Sequence, residues 1–227
     1  MNHDIYGILL VDKPQNYTSH DIVNIIRKKT KVEKVGHCGT LDPMATGLLV
    51  VLLGRYTKKQ DEFSKQMKIY DGKIIFGKST DTWDLEGKII SESDISALKE
   101  DKIKDAINIL SGHINQVIPP YSATKFNGMA LYKMARKKMN TPVLMKSVFV
   151  NWLKYKISLP YLEFSIKCSS GTYIRSIANT IGEITGFPSC LAELRRKAVG
   201  EFEVENAVSL NYIENSNLHD IFSKIIL

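Results

Sequence analysis

The chain has 227 residues, with 31 Lys and Arg against 24 Asp and Glu, a formal charge of +7, and 44% hydrophobic and 24% charged residues. That balance belongs to an ordinary globular protein with room for one well-formed core, and it excludes a disordered or collagen-like chain. The longest unbroken apolar run, Leu48 to Leu53, is far too short to cross a bilayer as a helix.

In chain order, Ile8 to Val11 is a short apolar run cut off by Asp12 and Lys13. It predicts a buried strand, and with no export signal in view the cytoplasm is the expected location. Ser19 followed by Ile22, Val23, Ile25 and Ile26 predicts a capped helix closing on Arg27, Lys28 and Lys29. Gly47 to Gly54 predicts a second buried strand, and the glycine-rich stretch Lys34 to Gly47 before it predicts a loop. Strand character returns at Lys73–Phe76, Val148–Leu159 and Leu162–Cys168, and helical spacing at Asp94–Leu110 and Thr172–Ile184. This irregular interleaving lacks the steady rhythm of a doubly wound sheet, so it predicts an α+β domain around one mixed or antiparallel sheet. Cys38, Cys168 and Cys190 are odd in number and lack metal-ligand spacing, and they read as reduced thiols.

The positive charge is concentrated. Lys125 to Lys146 contains Lys125, Lys133, Arg136, Lys137, Lys138 and Lys146 with no acidic residue, interleaved with Phe126 and Tyr132. Such a segment is either a solvated helix face or a cationic, aromatic-bearing flap suited to phosphate contact and base stacking.

Asp42 lies in the glycine-rich loop and precedes Pro43, which biases its backbone toward an extended conformation. A short carboxylate held this way can be a nucleophile, a general base, a metal ligand or merely an Asx-turn. Arg175 stands just inside a helix N-terminus, where the macrodipole favours anions, so it is either held by a partner carboxylate or phosphate, which accounts for it better than helix stability does, or a surface Arg with no partner. Lys13 follows a strand and fits a turn. His37 fits a base, a phosphate contact or a wedge, and Tyr70 and Tyr173 fit either stacking faces or core.

Taken together, these residues fall in blocks that resemble the TruB family of tRNA pseudouridine synthases over roughly Gly7 to Gly200. The most specific block is Gly36-His-Cys-Gly-Thr-Leu-Asp-Pro-Met-Ala-Thr-Gly47. Supporting blocks are Leu10–Pro14, Thr80–Asp84, Tyr121–Lys125, Leu131–Arg136, Gly171–Arg175 and Leu194–Arg196. The resemblance implies a pseudouridine synthase fold, a central mixed or antiparallel sheet flanked by helices with a basic thumb insertion. It also implies isomerisation of uridine to pseudouridine in the T loop of tRNA, at uridine 55, without cofactor or metal. By this similarity Asp42, Tyr70 and Arg175 are catalytic. Asp42 attacks or deprotonates the nucleoside, Arg175 pairs with it, and Tyr70 stacks on the extruded uracil. Lys13, His37, Tyr173, Leu194, Lys125, Arg136, Lys137 and Lys138 bind the RNA or shape the pocket, with His37 filling the gap left by the flipped base.

The implied partner is the T stem-loop of tRNA, with no membrane, no protein partner and a monomeric state. Residues 1–200 are expected to form the catalytic domain with its thumb at about 125–146. Residues 201–227 are expected to be a short extension in place of the further RNA-binding domain common in the family. Departures from the family pattern include Asn16 for a usual glycine, which suits a position needing positive φ, Cys38 for threonine, Ile118 for proline, and Lys197 for an uncharged residue. A guide-RNA-dependent subunit and a non-catalytic tRNA-folding factor are the alternatives.

Overall fold

A computed structural model describes residues 5–227. In chain order its strands are β1 (Gly7–Lys13), β2 (Val35–Cys38), β3 (Thr46–Leu53), β4 (Lys68–Phe76), β5 (Lys78–Thr80), β6 (Ile89–Glu92) and β7 (Gly112–Val117). They continue as β8 (Lys125–Phe126), β9 (Met129–Ala130), β10 (Met145–Ser158), β11 (Tyr161–Cys168), β12 (Ser189–Val199), β13 (Phe202–Glu203) and β14 (Val208–Ser209). The helices are α1 (Ser19–Thr30), α2 (Gln60–Ser64), α3 (Glu100–Ile109), α4 (Leu131–Arg136), α5 (Ile174–Thr185), α6 (Leu210–Asn215) and α7 (Leu218–Phe222). The fold is α+β with a mixed sheet, antiparallel except for the β1–β14 and β3–β12 pairs among the registers described. The chain forms two compact units, one from Met1–Asp71 with Leu194–Leu227 and one from Gly72–Glu193. The divisions fall inside β4 and β12.

In the first unit β3 has β1 along one edge, while its other edge pairs with β2 at Val50–Leu53 and with β12 at Thr46 and Gly47. Leu49, Val51 and Leu53 join Leu9, Val11, Ile22, Val23 and Ile26 on one face of this sheet. Leu48, Val50 and Leu52 join Ile8, Leu10, Val199 and Val204 on the other. Both faces of β3 are therefore sealed, which is why its sequence is continuous rather than alternating. Helix α1 differs from expectation by one residue at its start. Thr18 is the N-cap and forms a reciprocal capping box with Asp21, whose carboxylate accepts from the Thr18 N–H at 2.8 Å. Ser19 is released for a different task, described below. Asn16 does adopt a positive φ, 70°.

The expected loop Lys34–Gly47 is corrected at its beginning, because Val35–Cys38 is the strand β2, with Val35 opposite Leu53 and Cys38 opposite Val50. Its partner lies a dozen or more residues away, so no local pattern marks it. The three cysteines are buried, and none is in a disulfide among the described residues. Phe202 and Glu203 add the short strand β13, and the last residues return to β1, where Ile8 and Ile226 exchange backbone hydrogen bonds.

In the second unit β4, β11, β10 and β7 are successive neighbours. The β10–β11 hairpin runs from Val150 opposite Cys168 to Ser158 opposite Tyr161. The helix expected from Asp94 begins only at Glu100. Asp94 takes both the Ser96 N–H (3.0 Å) and its hydroxyl (2.5 Å), an Asx-type turn that competes with the helical ladder. Leu98, Ile103, Ile107 and Leu110 are buried nonetheless, so the spacing reported the apolar face correctly and the start wrongly. The helix expected from Thr172 begins at Ile174.

Candidate active site

In the first unit the segment between β2 and β3 presents Asp42. Leu41, Met44 and Ala45 are buried, whereas Asp42 is half-buried, so apolar neighbours anchor a carboxyl left at the surface. Four groups pin the surrounding backbone. The Ser19 hydroxyl accepts from Leu41 N at 2.9 Å and donates to Leu41 O at 3.2 Å. Asn16 N (2.9 Å) and Lys13 Nζ (3.3 Å) both donate to Pro43 O. Lys13 is fully buried, and its Nζ also donates to Tyr17 O at 2.7 Å and Pro14 O at 2.9 Å. The Asp42 carbonyl closes a turn by accepting from Ala45 N at 3.0 Å. Main-chain restraint on both sides of Asp42 fixes the direction in which its carboxyl leaves the loop.

Arg196 supplies the fourth restraint. It is fully buried, donating from Nε to Leu48 O at 2.7 Å and from Nη2 to Gly39 O at 3.0 Å, so one guanidinium ties the two ends of the loop together. Gly47 makes this approach possible. At φ +102° an added Cβ would stand 2.3 Å from Arg196 O.

His37 lies in β2 and is half-buried, with Nδ1 enclosed and without a hydrogen-bond partner. Burial, then the nearby charges of Arg196 and His20, hold its pKa below the usual histidine range, so the imidazole is neutral at pH 7. Beside it, burial pushes the Cys38 thiol up to about 11 against the opposing pull of Lys68 and Arg196. Tyr70 on β4 and Leu194 on β12 are both buried.

In the second unit Arg175 is the second residue of α5 and is 5% exposed. A partner carboxylate is present within the unit: Asp84 Oδ2 lies 3.5 Å from Arg175 Nε. Nη1 donates to Thr82 O at 2.8 Å and Nη2 to Tyr121 O at 3.0 Å. Asp84 is itself fixed, because Oδ1 accepts from the Thr82 hydroxyl at 2.6 Å and Glu86 N at 3.1 Å. The block Thr80–Asp84 is thus a receptor for one guanidinium. The sequence marked it as a motif without assigning the role.

Tyr173 is tied at both ends. Its hydroxyl is 3.0 Å from Thr124 Oγ1, and its N–H donates to Gln116 Oε1 at 3.2 Å. Gln116, buried on β7, also donates to Gly171 O at 3.1 Å, and no local signal singled it out. Thr124 leads into the basic insertion, a β8–β9 hairpin followed by α4. Leu131 and Met134 pack with Ile118 underneath, which leaves Lys125, Arg136, Lys137 and Lys138 exposed. Arg136 also lies over the Tyr132 ring, 5.5 Å from its centroid. The structure therefore gathers Lys13 with the Asp42 loop in one unit, and Tyr173, Arg175 and the basic insertion in the other.

Comparison with known proteins agrees with this arrangement. The model of the TruB family pseudouridylate synthase N-terminal domain matches residues 27–174. A protein named tRNA pseudouridine synthase B from Clostridium tetani is 42% identical over 215 residues, covering 94% of this chain and 74% of that relative. A relative of the same name from Endomicrobium trichonymphae is 39% identical over 228 residues, covering 99% of this chain and 97% of its own length. Among solved structures, a chain from a Cbf5–Nop10–Gar1 complex superposes with a TM-score of 0.71 at 26% identity, covering 98% of this chain and 60% of that one. The chain belongs to the TruB family of pseudouridylate synthases.

Proposed function

We propose that this protein isomerises uridine to pseudouridine in tRNA, at uridine 55 of the T loop, as a monomer acting in the cytoplasm. The observation that carries the reading is the restrained Asp42 loop in a chain about 40% identical to proteins named tRNA pseudouridine synthase B. The reaction moves no atoms in or out: the N1–C1′ bond breaks, a C5–C1′ bond forms, C5 loses its proton and N1 gains one. Asp42 attacks or deprotonates the nucleoside to open the glycosidic bond. In this reading Arg175 steadies the charge and direction of Asp42, and Tyr70 stacks on the freed uracil close to C5.

Because the target base is stacked inside a folded loop, it must be extruded at a cost of a few kcal/mol. His37 fills the vacated space, neutral at working pH and so able to enter a base stack without a desolvated charge. Lys13 holds the loop, Tyr173 and Leu194 wall the pocket, and Lys125, Arg136, Lys137 and Lys138 grip the phosphates.

The test is tritium release from a tRNA transcript labelled at uridine C5, with wild type beside Asp42→Asn and a second transcript lacking the T-loop uridine. Release that needs both Asp42 and that uridine is the expected result. An Asp42→Asn variant keeping about a tenth of wild-type turnover would sink the assignment. Tight tRNA binding without release by the wild type would favour a guide-dependent subunit or a folding factor.

A further inference from the structure

Trp83 occupies a backbone conformation that its side chain disfavours. Its φ is +65°, in the left-handed region that glycine enters freely and bulky residues avoid. The conformation is held from both sides, since Trp83 N donates to Thr80 O at 3.2 Å and Trp83 O accepts from Leu191 N at 3.0 Å. Its two chain neighbours both hold Arg175, Thr82 through its carbonyl and Asp84 through its carboxylate. Glycine would satisfy the backbone here, so the indole is present against local preference, and strain of this kind concentrates at functional sites.

No ring stacking, cation–π contact or side-chain hydrogen bond among the described residues accounts for the indole. The chain's other tryptophan shows what a structural role looks like: Trp152 Nε1 donates to Leu110 O at 3.1 Å, and its ring meets Phe164 edge-on at 5.7 Å. Trp83 is half-buried, makes no ring contact of either kind among the described residues, and has an indole N–H that is neither hydrogen-bonded nor sealed from solvent. A rigid aromatic face with an open donor, beside a guanidinium receptor, suits an unstacked nucleobase.

We infer that Trp83 is a substrate-contacting residue whose indole stacks on a nucleobase of the RNA loop. The inference rests on the RNA reading above and assigns that site a contact outside the basic insertion.

The experiment compares wild type, Trp83→Gly and Trp83→Phe in tritium release from a T-arm stem-loop RNA. Glycine keeps the left-handed turn, and with it the Arg175 receptor, while deleting the ring. Trp83→Gly is expected to raise KM about tenfold with kcat within about twofold of wild type, as loss of one base stack predicts, and Trp83→Phe should fall between. A KM within about twofold of wild type overturns the inference. So does a loss confined to kcat, which would make Trp83 a positioning residue for Arg175. A wild type that releases no label removes the RNA reading itself, a different failure. If Trp83→Gly does not fold, Trp152→Phe leaves Trp83 as the only tryptophan. Emission quenched saturably by the stem-loop supports the contact, and emission unchanged at saturation overturns it.

Discussion

Asp84 and Arg175 meet at 3.5 Å with only 6% and 5% of their side chains exposed. A pair this deeply buried contributes little net stability, because desolvation cancels most of the attraction, but it is costly to break from one side. Asp84→Asn keeps the shape and the Thr82 and Glu86 contacts while placing an amide where Arg175 needs a carboxylate. We expect a loss of about 3 kcal/mol in urea unfolding and a fall in turnover of at least tenfold. A cost below about 1 kcal/mol would show that the neighbouring carbonyls suffice for Arg175.

Arg196 makes a second prediction, because its guanidinium joins Gly39 and Leu48 across the Asp42 loop. Lysine offers its donors from one atom at the end of a flexible stem and cannot reproduce the rigid fork whose Nε and Nη2 reach Leu48 O and Gly39 O separately. Arg196→Lys should therefore cost about 2 kcal/mol of stability, the scale of removing a buried hydrogen bond to a charged group. It should also lower kcat more than KM, since the loosened group is the direction of Asp42. Equal kcat in the variant would show that Ser19, Asn16 and Lys13 restrain the loop without help.

These two relationships mark where the sequence stopped being informative. The apolar run Leu48–Leu53 announced a strand covered on both faces, and Ile22, Val23 and Ile26 announced the buried face of α1, because such patterns are local. Strand β2 carries no local signal because its partner is distant, and α3 starts later than its apolar spacing predicts because a side chain competes for its backbone. The family motifs located Asp42 and Arg175 but not what surrounds them. Gly39 is 157 residues from Arg196, and Thr82 is 93 from Arg175, separations that no spacing rule spans.

His37 predicts a pH dependence whose sign follows from its surroundings. Burial, Arg196 and His20 hold its folded pKa below the unfolded value of 6.5, so below that pH the unfolded chain binds a proton that the folded chain refuses. Stability contributed by neutral His37 is complete above pH 6.5 and is lost as the pH falls toward the folded pKa. Unfolding free energies measured at steps from pH 7.5 to 5 should decline more steeply for wild type than for His37→Gln. Parallel curves would mean that protonated His37 finds a partner the folded structure already supplies.

The basic insertion gives the prediction that separates a gripping surface from a solvated one. Lys137 and Lys138 follow directly on α4 with their amides bonded to Met134 O (3.1 Å) and Ala135 O (2.9 Å), and their exposed ammonium groups have no carboxylate partner among the described residues. Leu131 and Met134 fasten the helix beneath them, so replacing both lysines with glutamine changes charge and little else. Every ammonium–phosphate pairing that the substitutions remove should reduce the slope of log K against log salt by about 0.7 to 0.9. The double variant should therefore weaken tRNA binding most at low salt and least at high salt. A slope equal to that of wild type, even with weaker binding, would mean that these lysines face solvent in the complex, and the phosphates would have to be held by Lys125, Arg136 or other cations.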